Sequence, residues 1–188
     1  MNKIIFSISL MVFLFSPSIS YSQETPEETL NKILSEIKSS ASTAPVVNYV
    51  DWDKAFESLP EDRKKIIAVS SPDEMRSYYE SILKDPLAVM EKQYGKKIAG
   101  LSPEQKPIFE QNFARLKDIL EKKSKEMEKR ISESEYEVGK AEIKGSKAAV
   151  PLKRKYIGKT IEENVVLEKS GDKWLLPTVS SLSTAKKN

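Results

Sequence analysis

The chain has 188 residues, with 31 Lys and Arg against 28 Asp and Glu for a formal charge of +3, and it contains neither histidine nor cysteine. Those two absences exclude disulfides, Ser-His-Asp and Cys-His nucleophile systems, and zinc, copper or iron sites of the usual nitrogen and sulfur type, so no cofactor or metal is expected. The near balance of charge also argues against a nucleic-acid partner.

Residues 1–22 read as a secretory signal peptide: Lys3, an apolar run from Ile4 to Phe15, Pro17, and the small-residue pattern Ser20-Tyr21-Ser22. The run is shorter than the roughly 20 residues that cross a bilayer. Cleavage after Ser22 would leave about 166 residues, and loss of Lys3 lowers 31 basic residues to 30 against 28 acidic ones. No later run is apolar enough to span a membrane, so the expected location is secreted or periplasmic.

Helix starts follow one recurring device. Thr25-Pro26-Glu27-Glu28, Ser71-Pro72-Asp73-Glu74 and Ser102-Pro103-Glu104-Gln105 each place a hydroxyl at the N-cap, proline at the first helical position and Glu or Gln where it reaches back to the cap. Asp85-Pro86 gives a fourth start, and Asp51 caps a short helix with Trp52, Ala55, Phe56 and Leu59 on one face. The first helix carries Leu30, Ile33, Leu34 and Ile37 as its stripe, and a Ser/Ala/Thr-rich linker follows to Pro45. Residues 23–45 are therefore expected to dock loosely on a domain spanning 46–182, with 183–188 as a disordered tail. The longest helix is expected from Pro103 toward Ser132, with Phe109, Phe113, Leu116, Leu120, Met127 and Ile131 on its apolar side and "KKSKEMEKR" as a solvated distal end. A coiled-coil or partner contact is the alternative reading of that helix.

After Ser134 the period changes from near 3.6 to near 2. "EYEVGKAEIKG", "KAAVPLKRKYIG", "KTIEENVVLEKSG" and "DKWLLPTVSSL" are four strand-like runs separated by the turn signals Gly145-Ser146, Gly158-Lys159 and Gly171-Asp172. Connections this short allow only antiparallel neighbours, hence a four-stranded meander. Alternation places Val150, Leu152, Arg154 and Tyr156 on one side of the second run, Ile161, Val165 and Leu167 on one side of the third, and Trp174 and Leu176 on the inner side of the last. Gly139 interrupts the first run and predicts a bulge that bends the sheet. The fold class is α+β, with N-terminal helices packed on the concave face of a curved antiparallel meander and Trp174 buried against them.

The helices from Val46 to Ser132 and the run "YEVGKAEIKGSKAAVPLKRKYIGKTIEENVVLEKSGDKWLLP" resemble the nuclear transport factor 2-like, or cystatin-like, cone-shaped α+β superfamily. The similarity is greatest to its small secreted bacterial members of unknown activity, through "G-x-x-A-x-V-P" and "L-x-K-x-G-x-K-W". The resemblance implies a pocket between sheet and helices, where enzymes of the superfamily place an acid–base Asp or Tyr and many members have no catalytic role. Fold alone does not choose between these.

Three constellations bear on that choice. "YVDWDKAF" groups Tyr49, Asp51 and Asp53, an acid–base set if a carboxylate faces an apolar pocket, although capping by Asp51 and solvation of Asp53 explain both residues more simply. Tyr78 and Tyr79 follow the third cap, where helical spacing groups Tyr79 with Met75 and Ile82. "PLKRKYIGK" beside "TIEENVVLE" reads as cross-strand Lys/Glu pairing on an exposed face, with binding of an anionic surface or glycan as the alternative. The expected function is a secreted, non-catalytic domain that binds a small apolar ligand or a protein partner, its pocket lined by Trp52, Phe56, Tyr79, Tyr156 and Trp174. The alternatives are an Asp/Tyr acid–base enzyme and a periplasmic adaptor acting through its long helix.

Overall fold

A computed structural model describes residues 24–182; residues 1–23, where a signal peptide is expected, and 183–188, where a tail is expected, lie outside them. Helix α1, Pro26–Ser40, begins with a complete capping box: Glu28 N–H donates to Thr25 Oγ1 at 3.2 Å and Thr25 N–H to Glu28 Oε2 at 2.8 Å. Its stripe is the centre of the core, with Leu30 and Ile33 fully buried and Leu34 and Ile37 nearly so. Such burial stabilises by about 1.5–3 kcal/mol per side chain. The loose docking expected of this helix is therefore corrected: α1 packs on the sheet and belongs to the same hydrophobic core as residues 46–182.

A 3-10 turn, Ala44–Tyr49, leads to α2, Trp52–Ser58, which Asp51 caps by accepting from Lys54 N–H at 3.2 Å. Helix α3, Glu61–Ile67, follows Pro60 and was not foreseen in the sequence; it lacks a side-chain cap and buries none of its residues, so neither signal marks it. Helices α4, Pro72–Lys84, and α5, Pro86–Ala99, start at the caps Ser71 and Asp85 as the Ser-Pro and Asp-Pro pairs require. In α4 the Glu74 carboxylate accepts from Ser70, one residue earlier than a capping box would have it.

The longest helix, α6, Lys106–Glu133, starts three residues later than Pro103. Ser102 instead opens a turn whose carbonyl accepts from Gln105 and Lys106 N–H, and Pro107, with no N–H to give, sits in the first helical turn. Its packing also reverses the expected polarity. The only buried residue of α6 is Ile131, at the end read as solvated, while Phe109 and Phe113 stack on Tyr94 of α5 with centroids 4.4 and 3.9 Å away. The charged run still faces water, but a helix end can do so on one side and bury the other, and Ile131 lies on the buried side.

The C-terminal half is a curled antiparallel sheet of half-barrel form. The first strand-like run is split into β1, Glu135–Val138, and β2, Glu142–Lys144, both paired with β3, Lys147–Tyr156; β4, Lys159–Ser170, and β5, Lys173–Leu175, complete the meander. Between the pairs Val138↔Leu152 and Glu142↔Ala149, residues 139–141 oppose only Pro151 and Val150 on β3, which is the expected one-residue bulge. Gly139 fits because a Cβ there would come within 3.0 Å of the Pro151 Cβ, while its own N–H donates to Pro151 O at 2.8 Å. Helix α1 reaches the same point: Ala141 N–H donates to Glu27 Oε1 at 2.8 Å, which holds that carboxyl below its ordinary range.

Strand β5 is shorter than its run predicts. Leu176 leaves the meander to form a parallel bridge with Val50, giving Asp51 N–H to Leu176 O at 3.1 Å and Leu176 N–H to Tyr49 O at 2.7 Å; Pro177, which has no donor, follows. A second 3-10 turn, Val179–Leu182, closes the described chain.

Candidate functional site

The inner face of the sheet is legible row by row from the register. Tyr136, Arg154 and Ile161 lie side by side on β1, β3 and β4, and Val138, Leu152 and Glu163 form the next row. Further along, Val150 pairs with Val165 and Ala148 with Leu167, all four completely or almost completely buried. Helix α1 covers this second half together with Trp174 and Leu176. Over the first half the helices stand back, and a cavity of about 800 Å³ opens.

Its sheet wall is Tyr136, Leu152, Arg154, Ile161 and Glu163. The opposite wall comes from Leu34 and Ile37 of α1, Ala55 and Leu59 of α2, and the α4 stripe Met75, Tyr79 and Leu83, spaced by four so that all three share one side. Helix α6 adds Met127, Arg130 and Ile131, one helical turn near its C-terminal end. Among its lining residues Ser58, Met127, 49% exposed, and Ser180 meet solvent. The volume falls within the range of about 300–1,000 Å³ typical of small-molecule sites, and the lining is predominantly apolar.

Three charged side chains interrupt that lining. The Nε atoms of Arg130 and Arg154 and the Oε1 atom of Glu163 are buried without a hydrogen-bond partner in the protein. A desolvated charged group left unpaired is costly, which makes these atoms the chemically distinctive part of the cavity.

Of the five aromatic residues expected to line a pocket, Tyr79 lines this one. Trp52 stands behind Tyr79, ring centroids 5.8 Å apart, and spends its indole N–H on Val47 O at 2.9 Å. Phe56 lines a separate, shallower depression with residues of α3, and Lys64 Nζ lies 4.2 Å over its ring. Trp174 is 7% exposed and packed in the filled half of the sheet, while Tyr156, at the end of β3, is half-buried outside the cavity lining. The aromatic residues expected to share a pocket are therefore spread across the core: ring size marks burial, and burial alone does not distinguish a wall from a filling.

The acid–base set does not meet at the cavity. Asp51 is occupied as a helix cap and lies 3.6 Å from Lys54 Nζ, Asp53 is exposed, and Tyr49 donates its hydroxyl to Glu36 Oε1 at 2.6 Å. Burial and the Glu36 carboxylate raise the Tyr49 pKa well above that of a free phenol. Tyr78, edge-on to Tyr79 at 5.6 Å, is also raised, first by burial.

The charged lining was missed in the sequence, although its signal was present. Arg154 and Glu163 occupy inward positions next to apolar inward residues, Leu152 on β3 and Ile161 and Val165 on β4, which is where a charge costs most. Arg130 gave no signal of its own because it stands in "KKSKEMEKR", where every neighbour is also polar. The basic run on β3 divides by the same alternation: Lys153 faces outward and pairs with Glu162 at 3.4 Å, as the cross-strand reading requires, while Arg154 faces in.

Among the described residues, no cluster of His, Cys, Asp and Glu fits a metal ion, and no helix is long and apolar enough to cross a membrane. Comparison of the chain with known protein families, with curated proteins and with solved structures finds no match.

Proposed function

We propose that this is a secreted, non-catalytic domain that binds a small apolar ligand in the cavity between its curled sheet and helices α1, α2, α4 and α6. The observation that carries the reading is an apolar-lined, partly open space of about 800 Å³ between sheet and helices. Such a lining selects by shape and hydrophobicity and offers little to stabilise a developing charge away from the two arginines. The layout agrees with what a resemblance to the cone-shaped nuclear transport factor 2-like superfamily implies, and membership is part of the proposal.

Binding of prodan, a neutral solvatochromic fluorophore, tests the reading. The expected result is a blue-shifted emission with the wild-type protein, lost in Ile161→Trp, which fills the cavity from its sheet wall. Emission that stays at its aqueous position, or that Ile161→Trp leaves unchanged, overturns it.

A second reading, an adaptor acting through the long helix, draws on Ile108 and Ile119, which are 65% and 49% exposed on α6. It requires that Ile108→Glu combined with Ile119→Glu abolish association with a partner while prodan binding persists.

A further inference from the structure

Arg130 and Arg154 enter one cavity from different walls, the first from the last turns of α6 and the second from the middle of the sheet. Their buried Nε atoms have no acceptor in the protein. In a guanidinium, Nε–H and the neighbouring Nη–H point the same way and form the edge that receives both oxygens of a carboxylate. Glu163 would be the natural internal acceptor for Arg154, since the two are diagonal neighbours on one face of the β3–β4 ladder. Its own buried Oε1 has no donor, so that pairing is not made through this atom. Two guanidiniums and one carboxylate leave the site with a net charge of +1, which suits a single negative charge and disfavours a dianionic phosphate. The rest of the lining, Leu34, Ile37, Tyr79, Leu83 and Ile161 among it, is suited to an apolar body.

We infer that the ligand is an amphiphile with an apolar body and one carboxylate, seated with the body along α1 and α4 and the carboxylate between Arg130 and Arg154. The inference rests on the cavity-binding reading above and names its ligand class. Glu163 then sets a limit on the charge that the head group can bring. The apolar wall accounts for affinity and the two arginines for orientation, because only one end of the ligand satisfies donors that are otherwise buried and unpaired.

Displacement of prodan by sodium dodecanoate and by dodecanol, each below its aggregation concentration at pH 7.5, separates the two claims. Wild-type protein is expected to bind dodecanoate at least tenfold more tightly than dodecanol. Arg130→Leu combined with Arg154→Leu should reduce that preference to less than twofold by weakening dodecanoate binding, while Lys155→Leu, at an exposed position of the same basic run, should leave the preference intact. If the double variant fails to fold, Arg154→Lys serves instead: it keeps the charge, loses the fork, and should lower the preference several-fold. Equal binding of the two ligands by the wild type, or a preference that survives the arginine substitutions, overturns the inference and leaves the cavity reading standing. Failure of prodan and both ligands to bind overturns the cavity reading itself.

Discussion

The two halves of the sheet's inner face share the long strands β3 and β4 and have opposite fates. Toward the β4–β5 turn, Ala148, Val150, Val165, Leu167, Trp174 and Leu176 meet α1 and are buried to within a few per cent. Toward the β3–β4 turn, Tyr136, Leu152, Arg154, Ile161 and Glu163 face a cavity. The difference lies in side-chain chemistry as much as in where the helices stand. Rows of aliphatic side chains can be closed by a helix stripe at no electrostatic cost, whereas adjacent rows that hold an arginine and a glutamate resist dry packing. The filled half therefore anchors the fold, and the open half is where function is proposed.

The largest expected effect tests the filled half. Trp174→Ala should destabilise the protein by about 3–5 kcal/mol, as large-to-small changes in a closed core do. Ile161→Ala, in the open half, removes a side chain that already borders a cavity and should cost less than about 1 kcal/mol. Chemical denaturation measures both. Equal losses would mean that the two halves are packed alike.

Next in size is the charge in the open half. Arg154→Leu removes a half-buried arginine whose Nε has no acceptor in the protein, and replacing buried charge by a hydrophobic side chain commonly stabilises by about 1–4 kcal/mol. The variant should therefore unfold at higher denaturant than wild type in the absence of ligand. A loss of stability would show that the arginine is paired or solvated and that the open half is not a site under electrostatic strain.

How much of this was legible in the sequence follows the same division. Capping chemistry is local, so Thr25, Asp51, Ser71 and Asp85 announced their helices, and strict alternation gave the strand order, the inward faces and the Gly139 bulge. The weight of α1 was underestimated because a four-residue stripe looks the same whether it covers a core or lies loosely upon it. The polarity of α6 was misread because an apolar spacing does not say which of its turns meet the domain; Phe109 and Phe113 meet Tyr94 of α5 instead. The cavity depends on distances between elements far apart in the chain, and no local pattern encodes those.

A smaller effect concerns the turn that borders the open half. Residues Ile157 and Gly158 form a two-residue hairpin with φ of 46° and 68°, so a β-branched side chain, 73% exposed, stands in the left-handed region. Glycine and asparagine accept that backbone readily, whereas isoleucine adopts it only at a steric cost. Ile157→Asn should stabilise by about 1 kcal/mol, read as a higher denaturation midpoint with an unchanged slope. Prodan binding should not change, because the side chain does not line the cavity. A change in binding would show that the turn gates the open half.

The smallest expected effect contrasts two glutamates on β4. Glu163 points inward with a buried, unpartnered oxygen, while Glu168, five residues on, points outward between Lys147 Nζ at 3.0 Å and Lys54 Nζ at 3.5 Å. The hydrogen bond from Lys147 is the main cause of a Glu168 pKa below the ordinary carboxylate range, and Lys54 adds to it. A carboxyl whose folded pKa is depressed contributes stability that is fully present above its unfolded value of about 4.3 and is lost as pH falls through the lower folded value. Because the lysines are largely exposed, water screens the pairs and the contribution at neutral pH should be no more than about 1 kcal/mol. Glu168→Gln should therefore lower stability slightly at pH 7 and make no difference well below pH 4, so that the wild-type and variant stability curves converge on acidification. Curves that stay parallel would show that the lysines do not hold Glu168 in solution. Because Lys54 also approaches Asp51, the cap of α2, they would further show that α2 is held to the sheet by its apolar side alone.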